Sequence, residues 1–255
     1  MSASIEPEED GALDSPKPRA RGVYLLPNLF TTASLFSGFY AVVAAMNGNF
    51  ENAAIAIFVS MILDSLDGRV ARMTNTQSAF GAEYDSLADM VAFGVAPALV
   101  AFSWALSDLG KIGWVAAFIY VAGAALRLAR FNTQIGSTDK KYFVGLPSPS
   151  AAALVAGTVW TLHDVPVTPL MSWMSVFIVA SAGVLMVSNV LFYSFKELDL
   201  KGKVPFMVVL LIVLGFAVVA TAPAQVLLAV FVLYGLSGPY QALQRKRKKL
   251  GGQGN

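Results

Sequence analysis

Residues 64–89 read DSLDGRVARMTNTQSAFGAEYDSLAD, and this stretch decides which kind of fold the chain can adopt. Four aspartates, Asp64, Asp67, Asp85 and Asp89, lie in segments that are otherwise apolar enough to cross a membrane. A carboxylate in hydrocarbon is costly and is found where it faces a bundle interior, a water-filled cavity, a partner charge or a metal. The stretch therefore predicts a functional site inside a membrane protein.

The composition of the whole chain agrees with this interpretation. Of 255 residues, 56% are hydrophobic and only 13% are charged, and the mean hydropathy is +0.63. Apolar runs of about 20 residues match helices that cross a bilayer, whereas barrel strands would alternate over about ten residues. The chain has no cysteine, which excludes disulfides, thiolate metal sites and a cysteine nucleophile. We therefore predict an all-α integral membrane protein.

Eight apolar segments are predicted to span the membrane, and the basic residues indicate their orientation. The segments lie at about 27–46, 51–73, 79–106, 112–132, 148–162, 168–190, 204–221 and 224–242. If the N-terminus is cytoplasmic, all of the 18 Lys and Arg residues except Lys111 fall on the cytoplasmic side, as the positive-inside rule requires. The pattern predicts an eight-transmembrane-helix bundle with both termini in the cytoplasm.

Two polar tails flank the predicted membrane domain, which covers residues 23–242. Residues 1–22 carry acids and prolines without the basic start and apolar core of a signal peptide, so we expect a disordered cytoplasmic tail. Residues 243–255 include five consecutive basic residues at 245–249, which favour anionic lipid headgroups. Nucleic-acid binding is not expected, because this tail lacks a folded basic surface.

Helical spacing places the four aspartates on two polar stripes. Asp64 and Asp67 share one face of the second predicted span, and Asp85 and Asp89 share one face of the third. At about 1.5 Å per residue, the two stripes reach one depth near the cytoplasmic surface. The connection around Thr74–Ser78 is short, so the two helices are predicted to be antiparallel neighbours.

Carboxylates gathered at one depth need a counter-charge. Ligands that are all oxygen suit Mg²⁺ or Mn²⁺, with Ca²⁺ as a further option. The only histidine, His163, is predicted to be a solvated residue of an external loop. No other histidine and no cysteine is available near the aspartates.

The spacing of these residues resembles the signature of the CDP-alcohol phosphotransferase family. The match covers all eight fixed positions, Asp64-x2-Asp67-Gly68-x2-Ala71-Arg72-x8-Gly81-x3-Asp85-x3-Asp89. The resemblance implies a homodimeric membrane enzyme that moves a phosphatidyl or similar group from a CDP-linked lipid to an alcohol and releases CMP. It also implies that the four aspartates bind one or two divalent cations and that Asp89 is the general base. The residues implied to contact the CDP group are Asp67, Gly68, Ala71, Arg72 and Gly81.

Four further blocks resemble the bacterial-type phosphatidylserine synthase branch of that family: 26–28, 85–97, 126–132 and 145–149. The resemblance implies CDP-diacylglycerol and L-serine as substrates, in a bacterial or archaeal cell membrane with the site facing the cytoplasm. Arg127 and Arg130, near the cytoplasmic end of the fourth span, are candidates to bind the serine carboxylate or a lipid phosphate. The alternative for both is that they anchor the helix at the membrane surface.

Two other functions remain open at this point. A member of the same family could use another acceptor, such as glycerol 3-phosphate or an inositol phosphate, or a different lipid donor. A cation transporter could also place aspartates inside helices. A transporter predicts polar residues that continue to the external side, whereas the outer halves of the second and third spans are apolar.

Overall fold

The computed structural model describes residues 25–76, 78–133, 142–194 and 206–251, and these are almost entirely helical. The predicted tail 1–22 lies outside the described residues. The α-helices are α1 (Leu25–Met46), α2 (Phe50–Thr74), α3 (Ala79–Asp89), α4 (Ala96–Ala101), α5 (Lys111–Thr133), α6 (Ser148–Leu162), α7 (Pro169–Val187), α8 (Phe206–Thr221) and α9 (Pro223–Gly251).

The third predicted span is a helical stretch of mixed geometry. Two π-helical segments, Met90–Val95 and Phe102–Leu106, flank α4, and a 3₁₀ turn at Ser107–Leu109 ends the stretch. The first π-helical segment begins immediately after Asp89. A π-helical turn is wider than an α-helical turn and changes the direction in which the following side chains point.

Each of the eight predicted spans coincides with a helical stretch, and the all-helical membrane class is confirmed. Five of the described helices are long and apolar enough to cross a membrane, judged by length and composition: Leu26–Met46, Ala79–Leu109, Lys111–Thr133, Pro169–Val187 and Pro223–Arg245. Helix α6 has 15 residues and α8 has 16, while α2 has 25 residues but contains the acidic positions. Eight crossings with cytoplasmic termini therefore remain a prediction.

Two features depart from the predicted element boundaries. Helix α9 continues to Gly251, through the basic residues that were assigned to a separate tail. A two-stranded antiparallel ribbon, which an all-α prediction leaves out, pairs β1 (Tyr142–Val144) with β2 (Leu191–Tyr193). Gly145 follows β1 with φ of 81°, and a side chain there would strike the Met186 carbonyl. The ribbon ties the segment before α6 to the segment after α7.

Small residues let the helices approach closely. Gly123 of α5 meets Gly183 of α7 so tightly that a Cβ atom on Gly183 would lie 2.7 Å from the Tyr120 Cα atom. A cluster of buried alanines, with Ile57, Phe93 and Trp104, fills the bundle around the first half of α2. Close contact through small residues is the usual way in which membrane helices associate. This apolar cluster also disfavours an ion path that continues from the aspartates to the opposite end of the bundle.

Candidate metal and substrate site

The turn between α2 and α3 is built by two helix caps. Asn75 takes the left-handed conformation, with φ of 53°, and its N–H donates to the Arg72 carbonyl. The Ser78 hydroxyl accepts from the Gly81 N–H at 3.0 Å, which caps the start of α3. Caps of this kind satisfy backbone groups that a helix end leaves unpaired. They set the position of the two aspartate-bearing helices relative to each other.

Near this turn, α2 and α3 both pack on α1 and contact each other little, whereas α2 meets the same helical stretch farther along, at the first π-helical segment and α4. The two helices are therefore neighbours that are separated by a gap next to the turn. A cavity of about 230 Å³ lies between them and α1.

Three of the four aspartates converge beside this cavity. One carboxylate oxygen from each of Asp64, Asp67 and Asp85 lies within 4.8 Å of the other two. Asp67 is 5% exposed, and its Oδ2 atom accepts from the Thr31 hydroxyl of α1 at 2.9 Å. The Oδ1 atom of Asp85 is buried without a hydrogen-bond partner among the described residues. The two polar stripes therefore meet at one depth, across the gap between the helices.

Asp89 lies beside this cluster rather than within it. Its carboxyl group is within hydrogen-bonding reach of Asp64, but it is not one of the three residues that share the tight arrangement. Asp64 is thus the residue that joins the cluster to Asp89. The expectation that all four aspartates bind a cation stays a prediction for Asp89.

The donor set fits a hard divalent cation. The three carboxylates form no ion pair with a basic side chain in the described part of the chain, and Asp85 has an oxygen that no described group satisfies. Buried carboxylates without a counter-charge repel one another and are poorly solvated. Oxygen-only ligands of this kind suit Mg²⁺ or Mn²⁺.

The cavity is lined by all five residues that the resemblance assigns to the CDP group. Its wall also includes residues that the sequence analysis did not assign to the site. Among the predicted residues, Gly68, Ala71 and Gly81 leave room in the wall. The other wall residues include Pro27, Asn28, Thr31, Thr76 and Ser78. Of these, only Pro27 and Asn28 lie in the block at 26–28 that had been noted for its resemblance.

The two candidate arginines separate in the structure. Arg127 is half-buried, and its Nη1 atom donates to the Ser148 hydroxyl of α6 at 2.8 Å. Arg130 lies about one turn closer to the C-terminal end of α5. Its Nη1 atom donates to the amide oxygen of Asn189 at 3.4 Å. Asn132, also on α5, donates to the Ser86 hydroxyl at 3.0 Å and so links α5 to α3. Arg127 is the arginine that interacts electrostatically with Asp89.

His163 lies in the turn after α6, but it is not solvated as predicted. Its side chain is 19% exposed, and its Nε2 atom lies 3.0 Å from Asp164 and 3.7 Å from Glu51. Its Nδ1 atom is 2.7 Å from the Trp160 carbonyl, so the residue packs against the end of α6. It is not part of the aspartate cluster.

Comparison with known proteins leads to the same family. The family model described as CDP-alcohol phosphatidyltransferase matches residues 24–184. A CDP-diacylglycerol–serine O-phosphatidyltransferase of Helicobacter pylori is 39% identical over 84% of this chain and 90% of its own length. A protein of the same description from Bacillus subtilis is 33% identical over 68% of this chain and 92% of its own length.

A solved structure supports the fold. The phosphatidylinositol phosphate synthase of Mycobacterium tuberculosis, crystallised with CDP-DAG bound, superposes with a TM-score of 0.50. The alignment covers 65% of this chain and 82% of the other at 17% identity. At that identity the likeness concerns the arrangement of helices alone.

Proposed function

The chain belongs to the CDP-alcohol phosphatidyltransferase family, and from that premise we propose that it transfers the phosphatidyl group of CDP-diacylglycerol to the hydroxyl of L-serine, releasing CMP. The observation that carries this proposal is the similarity, along most of both chains, to the serine O-phosphatidyltransferase of Helicobacter pylori. The aspartate cluster beside a cavity supports the same chemistry, because phosphoryl transfer depends on positioning and on neutralising charge.

The cavity between α1, α2 and α3 is the proposed site of the CDP group. Gly68, Ala71 and Gly81 leave space for a ligand to approach the backbone, and Arg72 supplies a positive charge at the same wall. The side-chain amide of Asn28 can donate hydrogen bonds to the nucleobase of the CDP group and accept them from it. The donor lipid would then place its diphosphate toward Asp67 and Asp85.

Asp64, Asp67 and Asp85 are proposed to hold one or two divalent cations, with Asp89 beside them. When bound, such a cation supplies positive charge to the diphosphate and to the departing CMP. Thr31 keeps the Asp67 carboxylate oriented by donating to it. Partners of this kind fix the orientation of metal-binding carboxylates.

Asp89 is proposed to accept the proton of the serine hydroxyl. The serine oxygen forms a bond to the phosphorus of the phosphatidyl group, and the bond from that phosphorus to the bridging oxygen breaks. CMP leaves with the bridging oxygen, and the proton remains on Asp89 until it passes to solvent. Asp89 suits this role because it lies next to the cluster through Asp64 but outside the tight arrangement.

The lipid substrate requires that the site open to the membrane. Phe80 and Leu87 of α3 are exposed beside the aspartates, and such side chains suit contact with acyl chains. We propose a site that faces the cytoplasm of a bacterial or archaeal cell, in a homodimer. These features are implied by the positive-inside pattern and by the family.

An acceptor panel tests the function. Purified protein is incubated with CDP-diacylglycerol and Mn²⁺ or Mg²⁺, and with L-serine, glycerol 3-phosphate or an inositol phosphate, while CMP release is followed. We expect serine to support CMP release and chelation of the cation to abolish it. Release with another alcohol but not with serine would remove the serine assignment, and activity that survives chelation would remove the metal.

A further inference from the structure

Helix α9 lies outside residues 24–184, the part of the chain that matches the family model. It nevertheless packs on α6 and on strand β2. At α6, a Cβ atom on Gly157 would lie 3.4 Å from the Cα atom of Leu228, so the two helices meet closely. Helix α9 is therefore part of the bundle that holds the proposed site.

One face of α9 is attached to the ribbon of β1 and β2. The Tyr234 hydroxyl donates to the Tyr193 carbonyl at 3.1 Å, and the ring centres of Tyr234 and Phe192 lie 5.7 Å apart. Four residues farther along α9, and so on the same face, is Gly238. A Cβ atom there would lie 2.5 Å from the ring of Phe192, which is fully buried. Helix α9 and the ribbon therefore fit tightly together.

The ribbon leads directly into the start of α6. The N–H of Gly145, the first residue after β1, donates to the Val190 carbonyl at 2.8 Å, so the chain that leaves β1 is tied to the residue before β2. Three residues later, Ser148 begins α6. Its hydroxyl accepts from the Arg127 Nη1 atom at 2.8 Å. The ribbon therefore sets where the first turn of α6 meets α5.

This arrangement supports the side of the site that faces away from the CDP cavity. Arg127 interacts electrostatically with both Asp89 and Tyr234, and none of these three residues lines the cavity between α1, α2 and α3. Under the proposed mechanism, Asp89 must contact the hydroxyl of the acceptor. Helix α9 is therefore connected to the half of the site in which the acceptor reacts.

We propose that Tyr234 is a positioning residue for the acceptor half of the site, and that α9 acts through the ribbon to hold the start of α6 in place. The inference rests on the proposed function for the identity of the acceptor. Tyr234 belongs neither to the aspartate cluster nor to the wall of the CDP cavity, so it acts through Tyr193 and the ribbon. Loss of its hydroxyl should affect the acceptor more than the donor lipid.

The test removes the hydroxyl and keeps the ring. For Tyr234→Phe and the wild type, the KM values for L-serine and for CDP-diacylglycerol are measured, together with kcat and with the Tm in detergent. We expect the KM for serine to rise by about 2- to 10-fold, the range for losing one hydrogen bond, and the KM for CDP-diacylglycerol to stay at the wild-type value. Tyr240, on the same helix, is 64% exposed, so Tyr240→Phe is the matched control and should behave as the wild type.

Gly238 provides a second variant that leaves Tyr234 intact. In Gly238→Ala the added Cβ displaces the Phe192 ring, so the KM for serine should again rise while the KM for CDP-diacylglycerol does not. Gly235→Ala is its control, because nothing lies within 4 Å of the added atom.

Two results would overturn the inference. A lower Tm with unchanged KM values in Tyr234→Phe would assign Tyr234 to stability alone, and equal increases in both KM values would show that α9 does not act on one half of the site. A wild type that cannot use serine would instead refute the proposed function. The same variants would then be compared with the alcohol that does support CMP release, and the same two results would decide the role of Tyr234.

Discussion

At the scale of single residues, the site depends on how each carboxylate is supported. Asp67 accepts a hydrogen bond from a hydroxyl of another helix. The Oδ1 atom of Asp85 has no hydrogen-bond partner among the described residues, and Asp64 belongs to the cluster and also reaches Asp89. These different surroundings give the four aspartates different proposed roles although the signature treats them alike. The neighbouring threonines of α1 offer a direct test, because they differ in what they contact.

Replacing Thr31 by valine should weaken cation binding. Thr31→Val removes the hydroxyl that donates to Asp67, and loss of such a supporting partner typically lowers metal affinity by about 10- to 100-fold. The expected result is a matching increase in the Mn²⁺ concentration needed for half-maximal CMP release. Thr32 contacts the Tyr84 hydroxyl instead, so Thr32→Val is the control. An identical Mn²⁺ dependence for both variants would contradict the proposed role of Thr31.

Replacing Asp89 by asparagine should remove the base while keeping the shape of the side chain. Loss of a general base lowers the rate by about 100- to 10,000-fold, and we expect kcat to fall in that range. Asp108, exposed in the turn after the second π-helical segment, provides the control variant Asp108→Asn. Full turnover by Asp89→Asn would exclude Asp89 as the base.

At the scale of elements, the arrangement of the helices depends on close contacts between residues that are far apart in the chain. The spacing of residues in the sequence predicts only some of these contacts. The spacing of three and four residues predicted which aspartates share a face, because that spacing is a property of any α-helix. The gap between α2 and α3 near their turn, the π-helical segments and the Thr31 contact depend on how separate helices pack. The ribbon of β1 and β2 was missed for the same reason, since its strands are joined by pairing between segments far apart in the chain.

The crossing of α5 and α7 should be sensitive to a single methyl group. In Gly183→Ala the added Cβ would lie 2.7 Å from the Ile119 carbonyl oxygen and the Tyr120 Cα atom. Overpacking of this kind costs about 1–3 kcal/mol, so the Tm of the purified protein in detergent should fall. Gly235 of α9 has nothing within 4 Å of the corresponding position, and Gly235→Ala should leave the Tm unchanged. Equal Tm values for the two variants would contradict the close contact.

At the scale of the whole molecule, the site lies at one end of a bundle whose other end is filled with apolar side chains. The membrane class and the helical segments were predictable, because hydrophobic length and the distribution of basic residues act over the entire chain. The number of crossings does not follow from apolar runs alone, because α6 has 15 residues and α8 has 16, fewer than the roughly 20 that span a bilayer. The orientation of the helices is a separate prediction with its own test.

The absence of cysteine makes that test simple. Single cysteines are introduced at Lys111 and at Arg245 and exposed in intact cells to a thiol reagent that does not cross the membrane. With cytoplasmic termini, Lys111→Cys should react in intact cells, and Arg245→Cys should react only after the membrane is opened. The reverse labelling, or labelling of both positions in intact cells, would contradict the predicted topology.

The central claim is that the aspartate site joins serine to the phosphatidyl group of CDP-diacylglycerol. In the most direct measurement, the purified protein is supplied with isotope-labelled L-serine, CDP-diacylglycerol and Mn²⁺. The amounts of labelled lipid and of CMP formed in the same reaction are then compared. We predict equal amounts of labelled phosphatidylserine and CMP, with both products lost in Asp89→Asn. CMP formed without labelled lipid, or labelled lipid formed equally by Asp89→Asn, would contradict this claim.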